Sequence, residues 1–356
     1  MKIYLKSSLL IVCLSFWWST SKAQDPAFSQ FYAAGLFLNP AMAGQETNYF
    51  FGVNQRTNIY KQLFPYNLSQ FSFIYPIKHN KFKTLKRRDG HVGGIGLTSY
   101  RETCGPNDEL RTFGIMLSTS YFVQVSRAHY ISFGLQGGYL QKRINFDKLT
   151  WGSQWDEYIG YNAAIPVQFN NFDERKGFPD FSSGMIWYYK PNRQGGALRS
   201  RIDGFAGIAA TNLNRPNESF FEDRPSELPI LYKFHGGMSY QINQRTAIMP
   251  NVLVLRQHEM NQFNFGCYVS YKVSEDLAPF GLEWFNAQLG VWHRYGDSFI
   301  LSLGCRVKSF QFAISYDFNT STFKYYSRGS GATEISLAYR IFKGISSVKN
   351  FSNPLM

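Results

Sequence analysis

The sequence predicts an all-β protein: a transmembrane antiparallel β-barrel of about 14 strands with a short periplasmic amino-terminal segment. From residue 49 onward, apolar and polar residues alternate with a period of two, as in strands with one apolar face. Charged residues make up 17% of the chain and aromatic residues 18%, whereas soluble domains carry about 25% charged residues. After residue 23 no apolar run approaches the ~18 residues of a membrane-spanning helix. These features favour an outer-membrane barrel over the alternative, a large periplasmic β-sandwich.

The strands themselves are predicted from the alternation. In residues 111–123, Phe113, Ile115 and Leu117 share one face, and Ser118 and Ser120 share the other. Runs of this kind have the length that a barrel strand needs to cross a membrane. They predict strands near residues 49–56, 68–76, 92–100, 111–123, 130–140, 181–189, 201–210, 232–242, 245–255, 262–273, 284–294, 298–307, 309–318 and 332–342.

The first residues are typical of a secretory leader. Lys2 and Lys6 form a basic start, an apolar core follows, and small residues precede Gln24. The sequence is therefore divided into a leader (1–23), an amino-terminal segment (24–48), a barrel (49–342) and a carboxyl-terminal tail (343–356). Passage through the secretory pathway argues against nucleic acid as a partner, and the apolar strand faces predict contact with outer-membrane lipid.

The amino-terminal segment carries clustered aromatic residues, Phe28, Phe31 and Tyr32, ahead of an Asn39-Pro40 turn and a closing Gly44. Pro40 fixes its own φ and pushes Asn39 toward an extended backbone, so a helix cannot run through them. An aromatic side chain left in water would lose the ~1.5–3 kcal/mol of stabilisation that its burial provides. We therefore expect the segment to be ordered against the periplasmic mouth of the barrel, with the three aromatics as anchors. The residues leave open whether it binds a partner or simply plugs or caps the barrel.

Two connections between predicted strands are candidate partner-binding sites. The longest, residues 141–180, contains Trp151 and Trp155 and is expected on the cell surface if both termini are periplasmic. The connection 77–91 is unusually long for a periplasmic turn, and charge runs of this kind are commonly just solvated. Its basic residues that we consider for partner binding are Lys83, Lys86, Arg87 and Arg88.

Motifs that carry chemistry are not found in the sequence. The six histidines form no zinc-binding spacing, and neither a G-x-S-x-G elbow nor a P-loop occurs. We therefore predict no catalytic residue, cofactor or metal. Because catalytic triads assemble in space, an outer-membrane hydrolase remains an alternative, with His235 and His293 as the first candidates. A hydrogen-bonded histidine in the lumen is the preferred interpretation of both.

Several motifs together resemble the PorP/SprF family. They are QDPAFSQFY (24–32), LNPAMAG (38–44), LTWGSQ (149–154), PDFSSG (179–184), SYDFNTS (315–321) and GATEISLAY (331–339). The resemblance implies an outer-membrane protein of type IX secretion and gliding motility in Bacteroidota. Its implied function is non-enzymatic: export or surface attachment of a secreted cargo protein, or tethering of the periplasmic motor ring. Its implied partners are that cargo and other type IX secretion components. The alternative is a diffusion channel or a transporter of small or hydrophobic molecules.

Overall fold

The computed structural model describes residues 28–46, 48–58, 65–78, 91–126, 128–146, 149–166, 172–191, 201–273, 285–322 and 324–341. The predicted leader and the carboxyl-terminal tail lie outside the described residues. So do the four basic residues considered for partner binding, Lys83, Lys86, Arg87 and Arg88.

Fourteen antiparallel strands close into a barrel, and a separate two-stranded hairpin is formed by β6 (Trp155–Asp156) and β7 (Gly160–Tyr161). Each barrel strand pairs with its neighbours in chain order, and β1 pairs with β16 to close the sheet. None of the helices in the described residues is long and apolar enough to span a membrane. The barrel strands are β1 (Tyr49–Asn58), β2 (Tyr66–Lys78), β3 (His91–Cys104), β4 (Leu110–Gln124), β5 (His129–Ile144), β8 (Arg175–Tyr189), β9 (Ile202–Thr211), β10 (Leu231–Gln241), β11 (Thr246–Gln257), β12 (Met260–Lys272), β13 (Phe285–Arg294), β14 (Ser298–Val307), β15 (Phe310–Asn319) and β16 (Ser330–Ile341).

The predicted fold class and the count of 14 barrel strands are confirmed. The largest difference in a boundary concerns β8, which begins at Arg175 instead of residue 181. Its first residues pair with the end of β5, for example Arg175 with Arg143. Backbone pairing continues there although the side chains no longer alternate between apolar and polar. A prediction from side-chain alternation therefore makes this strand too short.

The apolar face of the sheet points outward. On β4, Leu117 is 58% exposed whereas the next residue, Ser118, is fully buried. This matches a barrel whose outer surface contacts lipid and whose inner surface is polar. The barrel has two openings: a proximal mouth, where the chain enters β1 at Tyr49 and leaves β16 at Ile341, and a distal mouth at the opposite end.

Candidate functional site

The amino-terminal segment lies inside the barrel lumen. Residues 28–46, which we call the plug, contain one helical turn (Gly35–Leu38) and a 3-10 turn (Pro40–Gly44). Ser29 bonds to Asp317 near the distal mouth, and Glu46 forms a 3.1 Å ion pair with Arg340 near the proximal mouth. The plug therefore runs lengthwise through the lumen. The segment is ordered with its aromatic residues buried, as expected, and of the alternatives left open it plugs the barrel. Its expected position against the mouth is wrong, because inward-facing residues along the length of the wall bind it.

The three aromatic anchors are buried against inward-facing side chains. The ring of Phe31 lies 5.2 Å from that of Trp292, edge to face. Tyr32 is hydrogen-bonded to the Tyr268 hydroxyl and stacks on Trp292 at 6.1 Å. Phe28 is 3% exposed. All three side chains are thus covered by the plug and the barrel wall, and a partner-binding role for them stays a prediction.

Two buried carboxylates hold the distal end of the plug. Glu334, which is fully buried, accepts the backbone N–H groups of Ser29 at 2.7 Å and of Gln30 at 3.0 Å. Asp317 accepts the Ser29 hydroxyl at 2.7 Å. Charged acceptors make stronger hydrogen bonds than neutral ones. The wall therefore holds the start of the plug through its backbone as well as through its side chains.

Two arginines balance the charge of these carboxylates. Arg56 lies 2.9 Å from Asp317 and 3.6 Å from Glu334, and Arg294 lies 3.4 Å from Asp317. Both guanidinium groups also donate to the Ser29 hydroxyl oxygen. A buried charge is tolerated when it is paired and hydrogen-bonded. Arg294 also pairs with Asp297, which is half-exposed, at 2.9 Å. Ser29 is thus built into a cluster in which two arginines offset two buried carboxylates, and no local sequence pattern predicts this cluster. Its two carboxylates do lie in the motifs at 315–321 and 331–339.

Asn39 ties the middle of the plug to the wall, as its place before Pro40 suggests. Its Oδ1 accepts the backbone N–H of Ala41 at 2.9 Å and so caps the 3-10 turn. Its Nδ2 donates to the carbonyl oxygen of Ile208 at 3.0 Å and lies 3.0 Å from Nε2 of His235. His235 is therefore a hydrogen-bonded lumen histidine, as expected. His293 instead lies on the outer face, where it packs against Phe265, so that expectation is wrong.

Substituting Asn39→Ala is expected to lower the free energy of unfolding by about 2–4 kcal/mol. It removes a helix cap, worth about 1 kcal/mol, and leaves buried polar groups of the wall without their partner at a cost of about 1–3 kcal/mol. The measurement is urea unfolding in detergent, followed by the mobility difference between folded and unfolded barrels on gels. The control is Asn162→Ala, which removes an equivalent cap on Ala164 from an exposed loop. Equal losses in the two variants would contradict the role of Asn39 in the lumen.

The proximal half of the plug fits against glycines of the wall. A Cβ atom at Gly94 would lie 2.0 Å from the carbonyl oxygen of Ala43, and one at Gly134 would lie 2.2 Å from the backbone nitrogen of Ala41. His91 Nε2 lies 2.8 Å from the carbonyl oxygen of Gly44. The 3-10 turn, including Pro40 and Gly44, therefore packs backbone to backbone against the wall, a closeness that larger residues would prevent.

The two tryptophans of the long connection after β5 have different environments. Trp151 is half-buried and stacks on Phe146 at 5.3 Å. Trp155 lies on β6 and is 69% exposed. The structure thus leaves Trp155 accessible and uses Trp151 for packing. Of the described residues considered for partner binding, those of the plug thus lie in the lumen and the two tryptophans lie in the connection after β5.

The described residues contain no group of three or more His, Cys, Asp and Glu side chains that could hold a metal ion. What the fold and the interior define is a membrane β-barrel whose lumen is filled by its own amino-terminal segment. The chain matches the type IX secretion system membrane proteins PorP/SprF over residues 20–339, and it belongs to this family.

Solved structures of other barrels are similar to this chain with low sequence identity and low TM-scores. A Pseudomonas aeruginosa FadL homologue shares 12% identity, covering 86% of this chain and 94% of the other, with a TM-score of 0.42. The Pseudomonas putida toluene transporter TodX shares 9% identity, covering 86% and 92%, with a TM-score of 0.49. Comparison with curated proteins gives no significant match. Similarity this low carries no conclusion about function.

Proposed function

We propose that this protein is a non-enzymatic component of the type IX secretion machinery in a Gram-negative outer membrane. It supports export or surface attachment of a cargo protein, or tethers the periplasmic motor ring. Family membership connects the chain to this secretion system. The observation that carries the proposal is the plug, held at both ends of the lumen by buried ionic contacts. A barrel filled in this way is suited to act as a membrane-embedded binding partner.

The proposed orientation has the distal mouth at the cell surface. The long connections 145–174 and 212–230 lie at that mouth, and bacterial barrels carry their longer loops outside. The proximal mouth then faces the periplasm, where the basic connection between β2 and β3 would meet components of the machinery. Under this orientation, protease added to intact cells cuts within residues 145–174.

Open diffusion, the rival function, is opposed by the contents of the lumen. A cavity of about 90 Å³ lies between the distal part of the plug and the wall, lined by side chains that include Phe37, Tyr100 and Phe178, and a smaller one of about 30 Å³ lies beside Phe28 and Phe31. A water molecule takes about 30 Å³ of liquid volume, so the larger cavity holds a few waters. Transport of small molecules would need the plug to leave its place.

Deleting the protein is expected to remove one or a few large proteins from the cell surface while leaving small-molecule uptake unchanged. The reason is that a plugged barrel serves other proteins and conducts little itself. Surface proteomics of the deletion strain, with uptake assays in parallel, makes the measurement. Complementation with the wild-type chain is the control. Normal surface display together with reduced uptake would favour the channel.

A further inference from the structure

A short hairpin at the distal mouth presents apolar side chains to solvent. Trp155 of β6 pairs with Tyr161 of β7. Between them Asp156 Oδ1 accepts the backbone N–H groups of Tyr158 at 2.9 Å and of Ile159 at 3.1 Å, which fixes the turn. The exposed fractions are 69% for Trp155, 93% for Tyr158 and 74% for Ile159. Unlike the apolar outer wall, these residues lie in a connection beyond the strand ends, so the lipid facing the strands does not explain them.

The hairpin belongs to an ordered structure that joins the two long connections. Phe172 packs on Phe146 at 4.1 Å and forms an isolated β-bridge with Phe221 of the other connection. Lys142 at the end of β5 forms an ion pair with Glu218. We call this structure the distal platform: residues 145–146, 149–166, 172–174 and 212–230. The contacts within the platform leave Trp155, Tyr158 and Ile159 exposed to solvent.

The charge of the platform differs in sign from that of the whole chain. The platform carries eight acidic residues and two basic ones, whereas the chain has a formal net charge of +13. Glu157, Glu222 and Glu227 are exposed. An acidic surface repels the anionic headgroups that draw basic surface segments to membranes. It attracts a positively charged protein surface.

We infer that the distal platform is a docking site for a protein segment that combines basic and apolar side chains. Trp155, Tyr158 and Ile159 supply the apolar contact, because aromatic residues dominate the energetics of interfaces. The acidic side chains around them select a basic partner. This inference rests on the proposed function and names a surface and a partner chemistry for it.

A second copy of this chain in the same membrane fits the platform poorly. The basic connection between β2 and β3 joins Lys78 to His91, which lie at the proximal mouth. Copies inserted side by side present their distal platforms on one side of the membrane and these connections on the other. The β2–β3 connection of a neighbouring copy therefore does not supply the basic segment, and the partner that we infer is a different protein.

The test uses the full chain in nanodiscs of zwitterionic lipid and two fluorescent peptides, one of alternating Lys and Leu, the other of alternating Glu and Leu. We expect the Lys–Leu peptide to bind at least tenfold more tightly than the Glu–Leu peptide, and binding to weaken as salt is raised. The triple variant W155A/Y158A/I159A should lose at least tenfold in affinity. The variant E157K/E222K/E227K leaves the platform with five acidic and five basic residues and should abolish the preference between the peptides.

The matched control is Tyr325→Ala, which removes a 78% exposed aromatic residue at the same mouth but outside the platform; it should bind as the wild type does. Equal affinity for both peptides, or wild-type binding by the triple variant, overturns the docking site. Association with anionic vesicles that depends on Trp155 assigns the hairpin to lipid and also overturns it.

An experiment in cells separates this inference from the proposed function. Cells carrying the triple variant as a folded barrel should lose the same surface proteins as the deletion strain. Normal surface display in those cells, together with loss in the deletion strain, would overturn the docking site and leave the proposed function standing. Normal display in both strains would overturn the proposed function.

Discussion

Replacing Gly134 by valine is expected to displace the plug from the lumen while the 14 strands stay paired. A Cβ atom at this position would lie 2.2 Å from the backbone nitrogen of Ala41 and 2.4 Å from the carbonyl carbon of Pro40. These are backbone atoms within a 3-10 turn, which cannot rotate aside as a side chain can. Valine suits a strand, so the strain falls on the plug.

The readout is ion conductance in planar bilayers, which should rise from nearly closed to that of an open barrel. The free energy of unfolding should fall by more than the ~1–3 kcal/mol of ordinary overpacking, because a displaced plug also loses its buried contacts with the wall. The control is Gly204→Val on the outward face of β9, where the nearest atom to an added Cβ is 3.5 Å away. Conductance and stability equal to wild type in the Gly134 variant would show that the plug does not seal the barrel through this contact.

Replacing Arg56 by leucine is expected to lower the free energy of unfolding by about 3–5 kcal/mol, because it leaves the buried carboxylates of Asp317 and Glu334 short of one positive charge. Thermal unfolding in detergent makes the measurement. The matched control is Arg111→Leu, whose ion pair with Asp108 is exposed and worth about 0–1 kcal/mol. The Arg56 variant should also release the start of the plug, which a protease would then cut.

A second substitution tests whether charge balance is the cause. Combining Arg56→Leu with Glu334→Gln removes one positive and one negative charge. The glutamine keeps one oxygen that can accept from Ser29 or Gln30, and its amide nitrogen replaces the oxygen that accepted the other N–H group. The combined loss should be smaller than the sum of the two single losses, since the sites are coupled. Additive losses would mean that Arg56 stabilises the lumen by packing alone.

The sequence predicts only part of the site, because several contacts in the lumen join residues that are far apart along the chain. The turn at Asn39-Pro40 and the need to bury Phe28, Phe31 and Tyr32 follow from local chemistry. The partners of Ser29 do not, because Glu334 and Asp317 are separated from it by 305 and 288 residues. No local pattern states which strands face each other across a lumen. Two of the motifs, however, contain these carboxylates, so a charged residue within a motif of a barrel strand is the local signal that indicates them.

A β-barrel of about 14 strands with its apolar faces outward could be predicted from local patterns in the sequence. Alternation with a period of two is a local property, and it decides which side chains share a face. Two features could not be predicted in this way: residues 28–46 fill the lumen, and Trp155 is exposed while Trp151 is packed. These outcomes depend on closure of the barrel, because closure brings β1, β13, β15 and β16 around one space. The charges and glycines on that inner wall acquire their common role only there.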